Sequence, residues 1–316
     1  MRSDATTPLR TAVVGVGHLG RHHARILSRL DGVSLVGVVD IDQARARAVG
    51  AAVGVPCATD AATLVGDVDA VTIAVPTESH LQVALPFLER GVAVLVEKPL
   101  AKTVAEADLM IAAAAASGAV LGVGHTERFN PAVAAARPLI THPEFIEVHR
   151  LGTFPERSLD IDVVFDLMIH DLDVVLSIVE SDVSGIDAVG VPVLTSRIDI
   201  ANARVHFASG CIANFTASRI SRDRVRKIRF FQRDAYLSVD YAAQEIDHWR
   251  LVRQGAGLPT IEGGKLEVVH EEPLKRELAD FVAAARDRRE PGVTGADGRR
   301  ALVVAQRISD AMSHER

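Results

Sequence analysis

Residues 11–30 read TAVVGVGHLGRHHARILSRL, an apolar run, three glycines, and then apolar residues at helical spacing. Such a pattern forms a strand, a tight turn and a helix. Gly15, Gly17 and Gly20 make G-x-G-x-x-G, with His18 and Leu19 between the second and third glycines. The first glycine permits the turn, the second lets a pyrophosphate approach the backbone, and the third lets helix and strand pack closely. The helix N-terminus then faces the phosphates. A second strand, VSLVGVVD, ends in Asp40, 20 positions beyond Gly20. A carboxylate there accepts hydrogen bonds from adenosine ribose hydroxyls and repels a 2′-phosphate. No Arg or Lys follows immediately in DIDQ, which favours NAD over NADP.

Strand-like runs continue through DAVTIAVP (69–76), GVAVLVEKP (91–99) and AVLGVGH (119–125), each separated by a helical segment. This alternation is that of an α/β domain, a Rossmann doubly wound parallel sheet over residues 1–125. Ligands of such sheets collect beyond the carboxyl ends of the strands, which makes Pro76, Thr77, His80, Glu97, Lys98 and His125 candidates. A chain of 316 residues has room for a second domain. After Gly124 the texture changes to short alternating segments such as FIEVHRL, RIDIANARVHF, CIANFTAS, KIRFFQ, YLSVDY and IDHWRLV. We expect an α+β domain over residues 126–316 with a large, mainly antiparallel open sheet, its C-terminal helix packing back on the body.

Other partners find little support. The formal charge of −6 offers no electrostatic footprint for nucleic acid or an anionic membrane surface. The longest uncharged stretch, residues 109–124, is shorter than a bilayer needs and is broken at Ser117-Gly118. Cys57 and Cys211 are too few and too far apart for a disulfide framework, which fits a reducing cytoplasm. The opening MRSDATTPLR lacks the apolar core of a secretion signal and reads as a loose leader.

The segment DLMIHDLD, residues 166–173, carries three aspartates and a histidine inside an apolar run. On an α-helix, Asp166, His170, Asp173 and Ser177 follow at steps of four, three and four and form one stripe, while Asp171 points elsewhere as a solvated or capping residue. Burying such groups without partners costs several kcal/mol, so the stripe should face a cavity, a ligand or other polar groups, as in a cleft between domains. A structural hydrogen-bond network is the plainer alternative. One helix offering His170 and Asp173 provides too few ligands for a metal, and no metal is expected.

With GVGHLG, Asp40, PTESH, EKP and D-x-x-x-H in family order, the chain resembles the Gfo/Idh/MocA oxidoreductases over nearly its whole length. The resemblance implies that Lys98 of EKP lies near the nicotinamide and the reacting hydroxyl, and that Asp166 and His170 enter the same pocket. Oxidation of a secondary alcohol needs a base for the hydroxyl proton, and imidazole, with an unperturbed pKa near ~6.5, suits that task. His170 is therefore the first choice, with Lys98 stabilising the oxygen or acting as the base itself. Asp166 would hold a neighbouring hydroxyl or orient His170.

A narrower likeness, in GVGHLGRHHARIL, VGHTERFNPAV and LDIDVVFDLMIHDLD, is to UDP-N-acetylglucosamine 3-dehydrogenases. It implies oxidation of the sugar 3-hydroxyl with NAD, in lipid A amino-sugar formation, with a downstream aminotransferase as partner. Seven basic residues between Arg219 and Arg233 would suit a diphosphate, although a solvated face or a subunit contact explains them equally. Glu127, Arg128, Asn130, Asp173 and Arg219 are candidate substrate contacts; Asn130-Pro131 could instead simply start a helix. A free polyol dehydrogenase and a non-catalytic NAD-binding regulator are the alternatives. An open sheet also invites pairing into homodimers or homotetramers.

Overall fold

The computed structural model describes residues 7–154, 161–253 and 258–314; the first six residues of the expected leader fall outside them. The chain divides into two compact units, Met1–His125 with Leu274–Arg299, and Thr126–Pro273 with Arg300–Arg316. Segment Leu274–Arg299, which the sequence reading assigns to the second domain, thus belongs to the first unit.

In the first unit the order is β1 (Leu9–Val14), α1 (Gly20–Leu27), β2 (Val33–Val39), α2 (Gln43–Val53), β3 (Cys57–Ala58), β4 (Ala70–Ile73), α3 (His80–Leu88), β5 (Ala93–Glu97), α4 (Val104–Ser117) and β6 (Leu121–Gly124). The six strands lie β3-β2-β1-β4-β5-β6, all parallel. Every residue of β4 and β5 is buried, as a sheet covered on both faces requires, and this is why these strands read as unbroken apolar runs. Helix ends carry their own stop signals. Asp42 caps α2 and Thr103 caps α4 through side-chain oxygens, and Gly54 and Gly118 close them in left-handed conformation. Strand order reverses between β1 and β4, and the turns after those strands and after β5 form the carboxyl edge.

The second unit contains α5 (Pro131–Ala136), β7 (Phe145–Leu151), α6 (Ile169–Ile178), β8 (Val183–Val191), β9 (Ile200–Phe207), β10 (Ile212–Ser218), β11 (Val225–Gln232), β12 (Ala235–Asp240), β13 (Glu245–Val252) and β14 (Thr260–Leu266). Its sheet runs β14-β13-β12-β11-β7-β10-β9-β8 and is antiparallel except for the β7–β10 pair. The expected antiparallel sheet is thus present with one parallel pairing. Apolar residues of α6, including Ile169, Leu172 and Val175, pack in one core with Ile146, Val148, Ala203 and Phe215 of the sheet.

Two final helices, α7 (Pro273–Asp287) and α8 (Gly295–His314), close the chain. Leu278, Phe281 and Val282 of α7 join the core of the first unit. From α8, Ala301, Val304, Ala305, Ile308 and Met312 join that of the second. Among the described residues no helix is long and apolar enough to cross a membrane, and no three His, Cys, Asp or Glu side chains group as a metal site.

Candidate active site

The glycine turn has the geometry a dinucleotide needs. Gly15 adopts φ +82°, a conformation that strains any side chain, and a Cβ on it would stand 2.6 Å from the Ala74 carbonyl oxygen. A Cβ on Gly20 would overlap the Gly15 carbonyl, so only glycine lets α1 lie this close to the turn. A Cβ on Gly17, by contrast, would meet nothing within 4 Å. The turn is therefore bare where a pyrophosphate would approach, and α1 begins with no side-chain cap on its N–H groups. His18 and Leu19 are exposed beside it, His18 Nδ1 lying 3.3 Å from the Arg21 guanidinium. These features fit a dinucleotide, with Gly15, Gly17 and Gly20 around its diphosphate and Asp40 at its ribose.

Asp40 is more occupied than its position in the sequence indicates. One oxygen accepts the Val16 amide at 2.9 Å and the other the Asp42 amide at 2.9 Å, which locks the end of β2 to the glycine turn. Arg45, on the first turn of α2, also lies 3.2 Å from the Asp40 carboxylate. The absence of a basic residue in DIDQ therefore does not leave the ribose corner without one.

The turns after β4 and β5 are held from two sides. Pro76 is exposed and Thr77 half-buried, whereas His80 is 1 % exposed. Its Nδ1 lies 3.0 Å from the Pro99 carbonyl oxygen and its Nε2 3.0 Å from that of Val75. His80 thereby ties the two turns together, and burial pushes its imidazole below the ordinary value despite the pull of the carbonyls. Glu97 also turns inward. Its Oε1 lies 3.0 Å from His23 Nε2 on α1, and its Oε2 accepts the Lys98 amide at 3.2 Å. Burial would raise this carboxyl, but His23 and Lys98 outweigh it and hold Glu97 below the usual range. Lys98 precedes a cis bond to Pro99 and is half-buried.

In the second unit the polar segment departs from a regular α-helix. Val164–Met168 form a π-helical turn that runs directly into α6. Asp166 lies within the π turn and His170 just beyond it, both half-buried. A π turn inserts residues into the helical repeat and is frequent at functional positions. The stripe read from the sequence breaks up below His170. Asp173 is 1 % exposed and forms a bidentate pair with Arg128, at 2.6 and 2.9 Å. Ser177 donates to the Val174 carbonyl and accepts from Arg137.

Asp171 requires a correction, because it is neither solvated nor a cap. It is 1 % exposed and grips the buried Arg150 with both oxygens, at 2.6 and 2.9 Å. Arg150 also reaches Glu127 at 3.1 Å and lies 5.3 Å from the Tyr241 ring centre. Burial disfavours the Arg150 charge, but Asp171 and Glu127 more than restore it, whereas burial keeps Asp171 above the usual carboxylate range. An apolar run gives no sign of this, since the partner strand carries the arginine 21 residues earlier.

Candidate substrate contacts also turn out to be structural partners. Asn130 is buried and caps α5 through the Ala132 amide, so Asn130-Pro131 does start a helix; its amide nitrogen donates to the Tyr241 carbonyl at 2.9 Å. Arg219 is 2 % exposed, donates to the carbonyls of Ile161 and Ile198, and lies 3.4 Å from Asp199. It is not part of an exposed basic face. Of its neighbours in the basic segment, Arg229 pairs with Glu147 at 2.6 Å and Lys227 with Asp240 at 3.4 Å across the sheet, whereas Arg222, Arg224 and Arg226 are exposed.

Residues 9–125 match an oxidoreductase family with an NAD-binding Rossmann fold, the Gfo/Idh/MocA family. A UDP-N-acetylglucosamine 3-dehydrogenase of Acidithiobacillus ferrooxidans is 36 % identical over 309 residues, 96 % of this chain and 97 % of that protein. Its solved structure superposes with a TM-score of 0.91 over 97 % of this chain and 98 % of that one. Inositol 2-dehydrogenase 4 of Saccharopolyspora erythraea is 35 % identical over 52 % of each chain. Levoglucosan dehydrogenase, solved with NADH and levoglucosan, shares the fold at 18 % identity and a TM-score of 0.88, covering 98 % of each chain. The chain belongs to the Gfo/Idh/MocA family of NAD-binding oxidoreductases.

Proposed function

We propose that the protein oxidises the 3-hydroxyl of UDP-N-acetylglucosamine to the 3-ketone, with NAD as the hydride acceptor. The observation that carries this reading is the 36 % identity to UDP-N-acetylglucosamine 3-dehydrogenase across 96 % of the chain. The glycine turn and the uncapped start of α1 hold the diphosphate, with His18, Leu19, Pro76 and Thr77 around the dinucleotide, and Asp40 binds the ribose. His170 takes the hydroxyl proton as the carbinol hydrogen departs as hydride. Lys98 stabilises the negative charge that develops on the same oxygen. Asp166 accepts a hydrogen bond from a neighbouring hydroxyl. Glu127, Arg128 and Asp173 act on the substrate only indirectly, by holding the start of α6.

The ketone is consumed by an aminotransferase that makes the 3-amino sugar, in the cytoplasm, where UDP-sugars and NAD are available; this is the lipid A amino-sugar route. Protomers pair through the open sheet face, where Phe145, Phe231 and Tyr236 cluster at 5.6 and 5.3 Å between ring centres and Trp249 is 43 % exposed. A second reading, oxidation of a free polyol, is favoured by one observation: Arg219 is buried and Lys227 and Arg229 are ion-paired, which leaves less charge for a diphosphate.

Comparing initial rates with UDP-N-acetylglucosamine and with myo-inositol tests the substrate. We expect a UDP-sugar preference of at least about a hundredfold in kcat/KM, and preference for the polyol overturns the proposal. His170→Ala and Lys98→Ala should each lower kcat by at least about a hundredfold while NAD still binds. Normal turnover in either would remove that residue from the chemistry.

A further inference from the structure

His23 sits on α1, three residues beyond the last glycine of the turn, and is 0 % exposed. Its Nε2 meets Glu97 Oε1 at 3.0 Å, whereas its Nδ1 has no hydrogen-bond partner among the described residues. An ionised carboxylate can only accept, so Nε2 is the ring nitrogen that faces Glu97 as donor. A side chain there for packing alone would be apolar, because a buried ring nitrogen left without a partner costs free energy. The second oxygen of Glu97 accepts the amide of Lys98. Space for the carboxylate comes from β6, where a Cβ on Gly124 would stand 3.0 Å from Glu97 Cδ and Oε2. The pair therefore joins the helix behind the glycine turn to the peptide that carries Lys98.

We propose that His23 is a positioning residue, which through Glu97 fixes the Lys98 peptide and so aims the lysine. Glu97 alone cannot do this. Stripped of the His23 donor, this buried carboxylate would be driven toward protonation or out of its slot, and the Lys98 amide would lose its fixed acceptor. His80 holds the following carbonyls of Pro99 and Leu100, so residues 97–100 are clamped on both sides by buried imidazoles. Dinucleotide binding itself uses neither nitrogen of His23. Loss of His23 should therefore appear in kcat and not in cofactor affinity.

This inference rests on Lys98 acting on the substrate oxygen, and the test separates the two. His23→Leu removes the donor, His23→Gln places an amide nitrogen at the same number of bonds as Nε2, and Lys98→Ala removes the amine. We expect His23→Leu to lower kcat at least about tenfold, with NAD affinity within about threefold of the parent, and His23→Gln to restore most of kcat. Hydrogen exchange at the Lys98 amide of the cofactor-free protein should accelerate in His23→Leu and not in His23→Gln. If His23→Leu does not fold, His23→Asn, too short to reach Glu97, serves with the same expectations. Parental kcat and parental Lys98 exchange in the Leu or Asn variant, with Lys98→Ala inactive, overturn the role of His23 alone. An active Lys98→Ala variant overturns the catalytic reading of the lysine, and Lys98 amide exchange then decides whether His23 positions this peptide.

Discussion

Gly17 and Gly20 stand three residues apart and do different work. A Cβ on Gly20 would overlap the Gly15 carbonyl, whereas one on Gly17 would enter open space. Gly20→Ala should thus destabilise the protein by about 2 kcal/mol or more. Gly17→Ala should melt within about 1 kcal/mol of the parent yet lose at least about tenfold in NAD affinity, because its methyl group would stand in the proposed path of the diphosphate. Thermal melts and NAD titration of the two variants check this contrast. The glycine pattern was legible because its spacing encodes backbone geometry directly. Asp171 was not, since helical phase says which way a side chain points and not what the facing strand supplies, here the Arg150 guanidinium. Asp199 is another such residue. Burial opposes its charge, but the amides of Leu194, Thr195 and Val193 and the Thr195 hydroxyl pull its carboxyl down to about 2. With an unfolded value near ~3.9, its stabilising contribution is complete above about pH 4 and is lost as pH falls toward 2. Asp199→Asn should flatten the fall in melting temperature across that window; an unchanged slope would remove Asp199 as its source.

At the level of elements, the helix carrying His170 is anchored by two buried ion pairs within three residues beyond it, Asp171 with Arg150 and Asp173 with Arg128. Removing one partner of a buried pair leaves an uncompensated charge. Arg128→Ala should therefore cost about 3 to 5 kcal/mol in chemical denaturation, whereas a cost below about 1 kcal/mol would show that Asp173 has found another donor. The π turn before α6 could not be read from residue spacing, because an inserted residue leaves the apolar pattern locally continuous. Beyond it, Asp173 and Ser177 are taken up by Arg128 and Arg137, so the four-residue stripe expected of an ideal helix holds only in part. The β2–α2 connection makes a second case. Arg45 lies 3.2 Å from Asp40, so Asp40→Ala both removes the proposed ribose acceptor and releases a guanidinium at the corner where a 2′-phosphate would sit. The NAD-to-NADP ratio of kcat/KM should fall at least about tenfold in Asp40→Ala, and an unchanged ratio would deny Asp40 that role.

For the whole molecule, the parallel sheet was readable from its buried strands, and the larger sheet from the alternation in β7, β9 and β10. The edge strands β8 and β14 escaped because glycines and exposed residues dilute their alternation, and the return of Leu274–Arg299 to the first unit follows from long-range packing that local patterns do not carry. Light scattering should report a dimer or tetramer if protomers pair through the face bearing Phe145, Phe231, Tyr236 and Trp249; Trp249→Lys should then weaken the assembly. The measurement that bears most directly on function incubates the purified protein with NAD and UDP-N-acetylglucosamine, draws the equilibrium forward with an aminotransferase and an amino donor, and weighs the sugar product. We expect a UDP-sugar lighter by a pair of hydrogens, or its 3-amino derivative, formed together with reduced nicotinamide. Failure to form either product, with UDP-N-acetylglucosamine also failing to bind, would contradict it.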